Sequence, residues 1–256
     1  MPEADFLKDY DPSAYARPSV AVDLVLLGIC EGCPAVLLLQ RQDHPFAGAW
    51  SLPGGFVRID EALDDAAHRV LREKAGISDA HCEQLYTFGA LGRDPRMRVV
   101  TVAWLALLDE VAFAQAVRAN PALLPARIVL PACADGLPIT ATGLEGEALA
   151  LAFDHAEILT LALQRLRGKL DYSNVGFALL PELFTLRQLQ DVHEAILGAT
   201  LNKPAFRRRM RDRGWLLPTG LRQEGTSHRP AELFRFQPAR RSGEQACLPV
   251  SAPAIG

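Results

Sequence analysis

Long hydrophobic runs are missing from this sequence. Spanning a bilayer takes about 20 consecutive apolar residues, and no stretch in the 256 residues reaches that length. Cysteine is scarce, with five in all. Cys82, Cys133 and Cys247 stand alone, so none supplies the second pair that a zinc site built on Cys30 and Cys33 would need. Low-complexity segments are few. The opening "MPEADFLKDYD" is acidic and polar, without the apolar stretch of a cleaved leader. What remains is ordinary for a globular chain: 49% apolar and 22% charged residues. These features predict a cytoplasmic protein with no membrane partner, long enough for one large domain or two modest ones. In "GICEGCPAV", Glu31-Gly32 is expected at the tip of a β-hairpin between two apolar strands. The competing reading of Cys30 and Cys33 is a redox pair or half of a zinc site.

A net charge of −3 hides an asymmetry. Between Leu201 and Arg241 there are eleven Lys or Arg and three acids, a local +8, so the remainder carries −11. A basic module on an acidic body suggests a polyanionic partner for that module alone.

The pattern divides accordingly. From Ser19 to about Leu108 it is strand-rich: "SVAVDLVLLGI", "AVLLLQRQ", "QLYTFGAL" and "RVVTVAWLALL" read as strands, and "GRDPRM" as a loop. Strands interleaved with a helix suggest a sandwich of α+β or α/β type. "EVAFAQAVRAN" reads as a short helix and "ARIVLPA" as a strand or buried turn. After Phe153 the period becomes helical. "DHAEILTLALQRLRGKL" begins with Asp154 as N-cap. "TLRQLQDVHEAILG" has a capping box of Thr185 and Gln188 and ends at Gly198. "NKPAFRRRMRDRG" has Asn202 as N-cap, Phe206 and Met210 inward, and Gly214 as terminator. Two short strands around a polar turn follow. Three helices and a hairpin make a winged helix-turn-helix. The expected division is residues 1–153, 154–241 and a flexible tail, 242–256, with the first of these helices as a possible connector.

"GGFVRIDEALDDAAHRVLREKAGI", residues 54–77, poses the functional question. Two glycines precede a helix that stops at Gly76. Gly55, Glu61, Arg69, Leu71, Glu73, Gly76 and Ile77 fall at the spacing of the Nudix box, which this segment resembles. It departs twice: Val70 and Lys74 stand where that family has glutamates. The resemblance implies three helix carboxylates for Mg²⁺, of which only Glu73 remains, so no catalytic residue, metal or cofactor is expected. Lys74 has two readings, a fixed cation that balances a diphosphate or a solvated residue in the last helical turn. "RQDHPFAGAWSLPGGFV" and "YTFGALGRDPR" resemble segments of ADP-ribose-binding Nudix domains. The expected ligand residues are Arg41 and Arg96 for phosphate or ribose, Phe46 and Trp50 for stacking or core, and Gly54, Gly55 and Phe56 for close backbone approach. Arg69, Glu73 and Lys74 complete that set.

In the basic segment, Lys203, Arg207, Arg208 and Arg211 project outward from the third of these helices, as in a recognition helix in a major groove. Thr185, Asn202, Arg222, His228 and Arg229 are further expected DNA contacts, and Arg240 and Arg241 a backbone-contacting tail. "FDHAEIL", "ELFTLRQLQDVHEAILG", "NKPAFRRRM" and "RPAELFRF" resemble the NrtR family of Nudix-related transcriptional regulators of NAD metabolism. That resemblance implies a homodimeric repressor, an inverted-repeat operator on double-stranded DNA, and ADP-ribose or a related NAD-derived effector. The alternatives are an active ADP-ribose pyrophosphatase, with Glu61, Asp64 and Asp65 holding metal, and a decapping-type RNA protein. The module lacks the exposed sheet aromatics that stack single-stranded bases.

Overall fold

A computed structural model describes residues 3–78, 80–130, 139–223 and 230–238. The first helix, α1 (Glu3–Asp9), buries none of its residues. Next comes the hairpin of β1 (Ser19–Cys30) and β2 (Cys33–Gln40). Cys30 and Cys33 face each other in register. Glu31 and Gly32 turn at φ 50° and 75°, as a two-residue hairpin turn requires. The cysteines are free thiols of that turn.

The stretch between β2 and the box helix is not only a lead-in. It contains β3 (Trp50–Ser51), paired with β2, and β4 (Gly54–Phe56), paired with β1. Then follow α2 (Leu63–Ala75), β5 (His81–Phe88), β6 (Val99–Leu107), α3 (Glu110–Ala119), β7 (Leu123–Val129), β8 (Thr140–Thr142) and β9 (Ala148–Leu149). The path β5-β6-β1-β2-β7-β8-β9 makes one mixed sheet, parallel only between β1 and β6.

Strand β1 explains the layering. Its eight residues from Ala21 to Gly28 are all buried, because both faces of the sheet are covered and the apolar run need not alternate. Val22, Leu24 and Leu26 face α2 and α3. Val25 and Leu27 face the opposite layer, with Ile158, Leu159 and Leu163 of α4 (His155–Leu170). Each such side chain contributes about 1.5–3 kcal/mol of burial. The result is an α/β/α sandwich, of the interleaved type expected, whose second helical layer is α4, a helix expected in the following module.

The basic module is built on α4. A 3-10 turn, Val175–Leu179, leads to α5 (Leu186–Leu197), α6 (Lys203–Asp212) and the ribbon of β10 (Leu216–Arg222) and β11 (Glu232–Phe236). The capping box of Thr185 and Gln188 is present, and Gly198 is the left-handed C-cap of α5. Core residues of α4, α5, α6 and β11 belong to one cluster with those of the sheet, including Leu166, Ile196, Phe206, Met210 and Phe234. Helix α4 therefore packs on the sheet with one side and on α5 with another. Among the described residues, no helix is long and apolar enough to cross a membrane.

Candidate functional site

A cleft of about 390 Å³ opens beside β4, within the size range of small-ligand sites. Its position follows from strand alternation. In β1, Asp23 is on the same face as Val25 and Leu27, so it points to the start of α4. Gly54, opposite it in β4, makes room: a Cβ there would lie 2.4 Å from Asp23 Oδ1 and 2.8 Å from the Val22 carbonyl oxygen.

The cleft floor is a buried ionic lock. Arg93 donates from Nε to Asp154 Oδ2 at 2.8 Å, and from Nη2 to Asp154 Oδ1 at 2.7 Å and Asp23 Oδ2 at 3.3 Å. Arg93 is 5% exposed at the side chain and each carboxylate 11%. Beside them His155 accepts the Leu52 N–H on Nδ1 at 2.9 Å, which leaves the proton of the neutral ring on Nε2, 3.7 Å from Asp23 Oδ1. Burial pushes the His155 pKa below its ordinary value despite the two acids nearby. Asp154 is the N-cap position of α4, but its carboxylate is spent on Arg93 and caps no N–H.

The rim is cationic and aromatic. Arg41, Lys74 and Arg96 line it. Arg96 forks onto Asp94, with bonds of 3.1 and 2.8 Å, and stays 43% exposed at the side chain. That bond holds the Asp94 carboxyl below the usual carboxylate range. Arg41 donates from Nε to the Pro45 carbonyl at 2.7 Å and lies over the Phe153 ring at 4.8 Å. Phe46 meets Phe153 edge-on at 4.8 Å. Both phenylalanines have positive φ, 63° and 54°. Bulky side chains rarely adopt that region, at about 1–3 kcal/mol each, and such strain gathers at ligand sites.

The other expected ligand residues divide. Gly54, Gly55 and Phe56 line the cleft with Arg41, Lys74 and Arg96. Phe46 reaches it through Phe153. Trp50 is half-buried and packs on the sheet core, so it is a core residue here. Arg69 is not on the cleft wall. It donates to Glu61 at 2.6 and 2.9 Å, to Glu73 at 3.2 Å and to the Phe56 carbonyl at 3.0 Å. It anchors α2 to the preceding loop, and its hydrogen bonds hold the Glu61 carboxyl down at about 2. Glu73 is paired with Arg69 and, at 3.5 Å, with Arg58. Val70 is fully buried in the α2 side of the core, where a Cβ on Gly55 would be 3.2 Å from it.

Sequence reasoning missed Asp23, Arg93, Asp94, Phe153, Asp154 and His155. Two signals were present: one carboxylate inside an otherwise apolar strand, and "GRDPR" and "FDH" each placing charge at an element boundary.

The second candidate surface is α6. Phe206 and Met210 are buried. Lys203, Arg208 and Arg211 are exposed and Arg207 half-buried, and the four line one shallow groove. Asn202 is exposed and caps the helix through Ala205 N at 3.0 Å. Arg222, exposed at the end of β10, donates to the Pro230 carbonyl at 3.3 Å. Thr185 is a correction to the expected contacts. It is 4% exposed, and its hydroxyl is committed to the Gln188 N–H at 3.1 Å, so it offers no surface to a nucleic acid. His228, Arg229, Arg240 and Arg241 lie outside the described residues.

Comparison with known proteins joins the two surfaces. The family model for the NrtR DNA-binding winged helix domain matches residues 176–236, and that for the NUDIX domain residues 18–128. The "ADPR responsive transcriptional repressor NtrR" of Acinetobacter baylyi is 37% identical over 236 residues, 91% of this chain and 88% of that protein. The crystal structure of Shewanella oneidensis NrtR complexed with a 27mer DNA superimposes with a TM-score of 0.69 at 35% identity, over 85% of this chain and 93% of that one. A MutT/nudix family protein from Enterococcus faecalis gives 0.72 at 26% identity, over 93% and 94%.

Proposed function

The chain belongs to the NrtR family of transcriptional repressors, and from that premise we propose that its sandwich senses ADP-ribose or a related NAD-derived nucleotide without hydrolysing it. Its winged helix represses genes of NAD synthesis or salvage by binding an inverted-repeat operator as a homodimer in the cytoplasm. The division near Phe153 and Asp154 is part of this reading, with α4 as the connector.

Lys74 carries the proposal. It lines the cleft where the box of a hydrolase has a glutamate. A fixed ammonium balances diphosphate charge but activates no water. The two other carboxylate positions fit magnesium no better. Val70 offers only methyl groups inside the core, and Glu73 is held by two arginines. Magnesium asks for several oxygen ligands, and no group of three or more metal-ligating side chains occurs among the described residues. Arg41, Arg96 and Lys74 bind anionic oxygens, Gly54 and Gly55 present backbone to the cleft, and the Phe46–Phe153 pair offers a face to a base. On α6, arginine at the exposed positions suits guanine edges and phosphates.

The test has two arms. Pure protein is incubated with ADP-ribose and Mg²⁺ or Mn²⁺, and binding to a duplex enriched from a random library is followed with and without the nucleotide. The expected result is no turnover, specific duplex binding and a shift of that binding by ADP-ribose. Turnover at the rate of ordinary Nudix hydrolases would overturn the sensor reading in favour of a pyrophosphatase.

A further inference from the structure

We propose that α4 is a rigid rod that reports occupancy of the cleft to the recognition helix, with Asp171 as the positioning residue at its far end. This rests on the reading of the cleft as a sensor and of α6 as the DNA reader.

Both ends of the rod are fastened to something that matters. At its start, Phe153 and His155 are cleft wall, and Asp154 is held by Arg93. At its end, Arg167 Nε donates to the Ile196 carbonyl of α5 at 2.8 Å. Asp171, the C-cap, is 3.7 Å from Arg209 Nη1 through its carboxylate, and its carbonyl accepts from Arg213 Nη2. Arg209 lies over Phe206 and Arg213 over Trp215. The inner arginines of the α6 region are thus held toward α4, while Lys203, Arg208 and Arg211 point outward. Sixteen residues at 1.5 Å each set the two ends about 24 Å apart.

The chain leaving α4 is anchored again within a few residues. After an exposed turn at 171–174 it enters the buried 3-10 turn, where Phe177 packs on Phe184, Trp215 and Phe236. Leu163, Leu166 and Leu170 share one core cluster with Val192, Ile196, Phe206 and Met210. A ligand that displaces Phe153 or redirects Arg93 tilts α4 from its start. A tilt of about 5° moves the far end by roughly 2 Å, the scale of helix shifts in known switches. The ion pair of Asp171 with Arg209 and the hydrogen bond from Arg213 to its carbonyl are exposed and individually weak. Their role is to fix the direction of α6 relative to the rod rather than to stabilise the fold.

The test is a linkage measurement on Asp171→Ala, Arg213→Met and the double variant. ADP-ribose affinity is measured with free protein and with the protein–duplex complex, and the ratio is the coupling factor. Typical coupling is about 5- to 150-fold. The expected result for the double variant is a factor reduced at least threefold, with nucleotide affinity of the free protein unchanged. A factor within twofold of wild type overturns the role of Asp171. Absence of any coupling in the wild type instead overturns the proposed function itself. Hydrogen exchange on the wild type tests the rod without any substitution. ADP-ribose is expected to change protection in residues 155–170 together with 203–212. A response in α6 with none in α4 overturns the inference even if the variants fail to fold.

Discussion

Replacing Arg93 by Met tests the floor of the cleft most severely. The guanidinium makes three charge-assisted bonds to two carboxylates and is almost wholly buried. Methionine preserves much of the volume but none of the charge. Asp23 and Asp154 would then face each other in the interior without a cation. Breaking a buried pair in this way costs about 3–5 kcal/mol. In a chain of this size each kcal/mol lowers the melting temperature by about 2–4 °C, so a drop of roughly 6–20 °C is expected. Urea denaturation read by tryptophan fluorescence gives the free energy directly. Adding Asp154→Ala removes one orphaned carboxylate as well. The double variant should therefore be more stable than the sum of the two single losses implies, by about 1–3 kcal/mol. A loss below about 1 kcal/mol for Arg93→Met, the size seen for exposed pairs, would refute the argument. It would mean that water reaches the pair and that the cleft floor is not preorganised.

Three further outcomes are expected. His193 is buried against Phe206 at 5.0 Å and donates to the Leu189 carbonyl at 2.8 Å, and burial pushes its pKa down to about 4. The unfolded chain binds the proton first, so stability is complete above about pH 6.5 and falls between there and about pH 4 by on the order of 3 kcal/mol. Urea midpoints across that range should flatten in His193→Gln, and an unchanged slope would count against it. Gly54→Ala drives a Cβ into Asp23 and the Val22 carbonyl; thermal melting should report a loss of about 1–3 kcal/mol, and an unaltered melting temperature would show that the strands have room to part. Arg208→Ala should weaken duplex binding by about 1–3 kcal/mol if the side chain reads a base, or lower the salt slope by about one if it meets a phosphate; wild-type affinity with a wild-type slope would remove it from the interface.

Much of the fold was legible because its signals are local. The hairpin at Glu31-Gly32, the capping box at Thr185 and the inward pair Phe206 and Met210 each depend on residues within four positions of one another. The short strands β3 and β4 were hidden, because two or three residues cannot show a period and only pairing with β2 and β1 defines them. The rim residues Arg41, Lys74 and Arg96 were readable from the box and its neighbours. The floor was not: Asp23, Arg93 and Asp154 are separated by 70 and 61 positions, and nothing local marks them as partners. Arg69 and Thr185 misled for the opposite reason. Each has the right chemistry for a ligand, but a nearby partner in the chain already uses it, Glu61 for one and Gln188 for the other.

The shared core has a consequence for modularity. Leu163 and Leu166 of α4 and Ile196 of α5 are fully buried in the same cluster as Val25 and Leu27 of the sheet. A winged helix excised at its own sequence boundary, residues 176–236, would expose the apolar underside that α4 covers, and a sandwich trimmed before Asp154 would expose half of its own interior. Exchange of DNA readers between proteins of this architecture is therefore constrained at a buried seam. A grafted reader must bring a helix whose leucines fit the recipient sheet, or a solvent-facing interface must first be evolved. Chimeras joined after Leu170 rather than at Phe153 preserve the leucine layer of α4 on its sheet, and they leave the contacts of α4 with the 3-10 turn and α5, and of α5 with β2, to be matched.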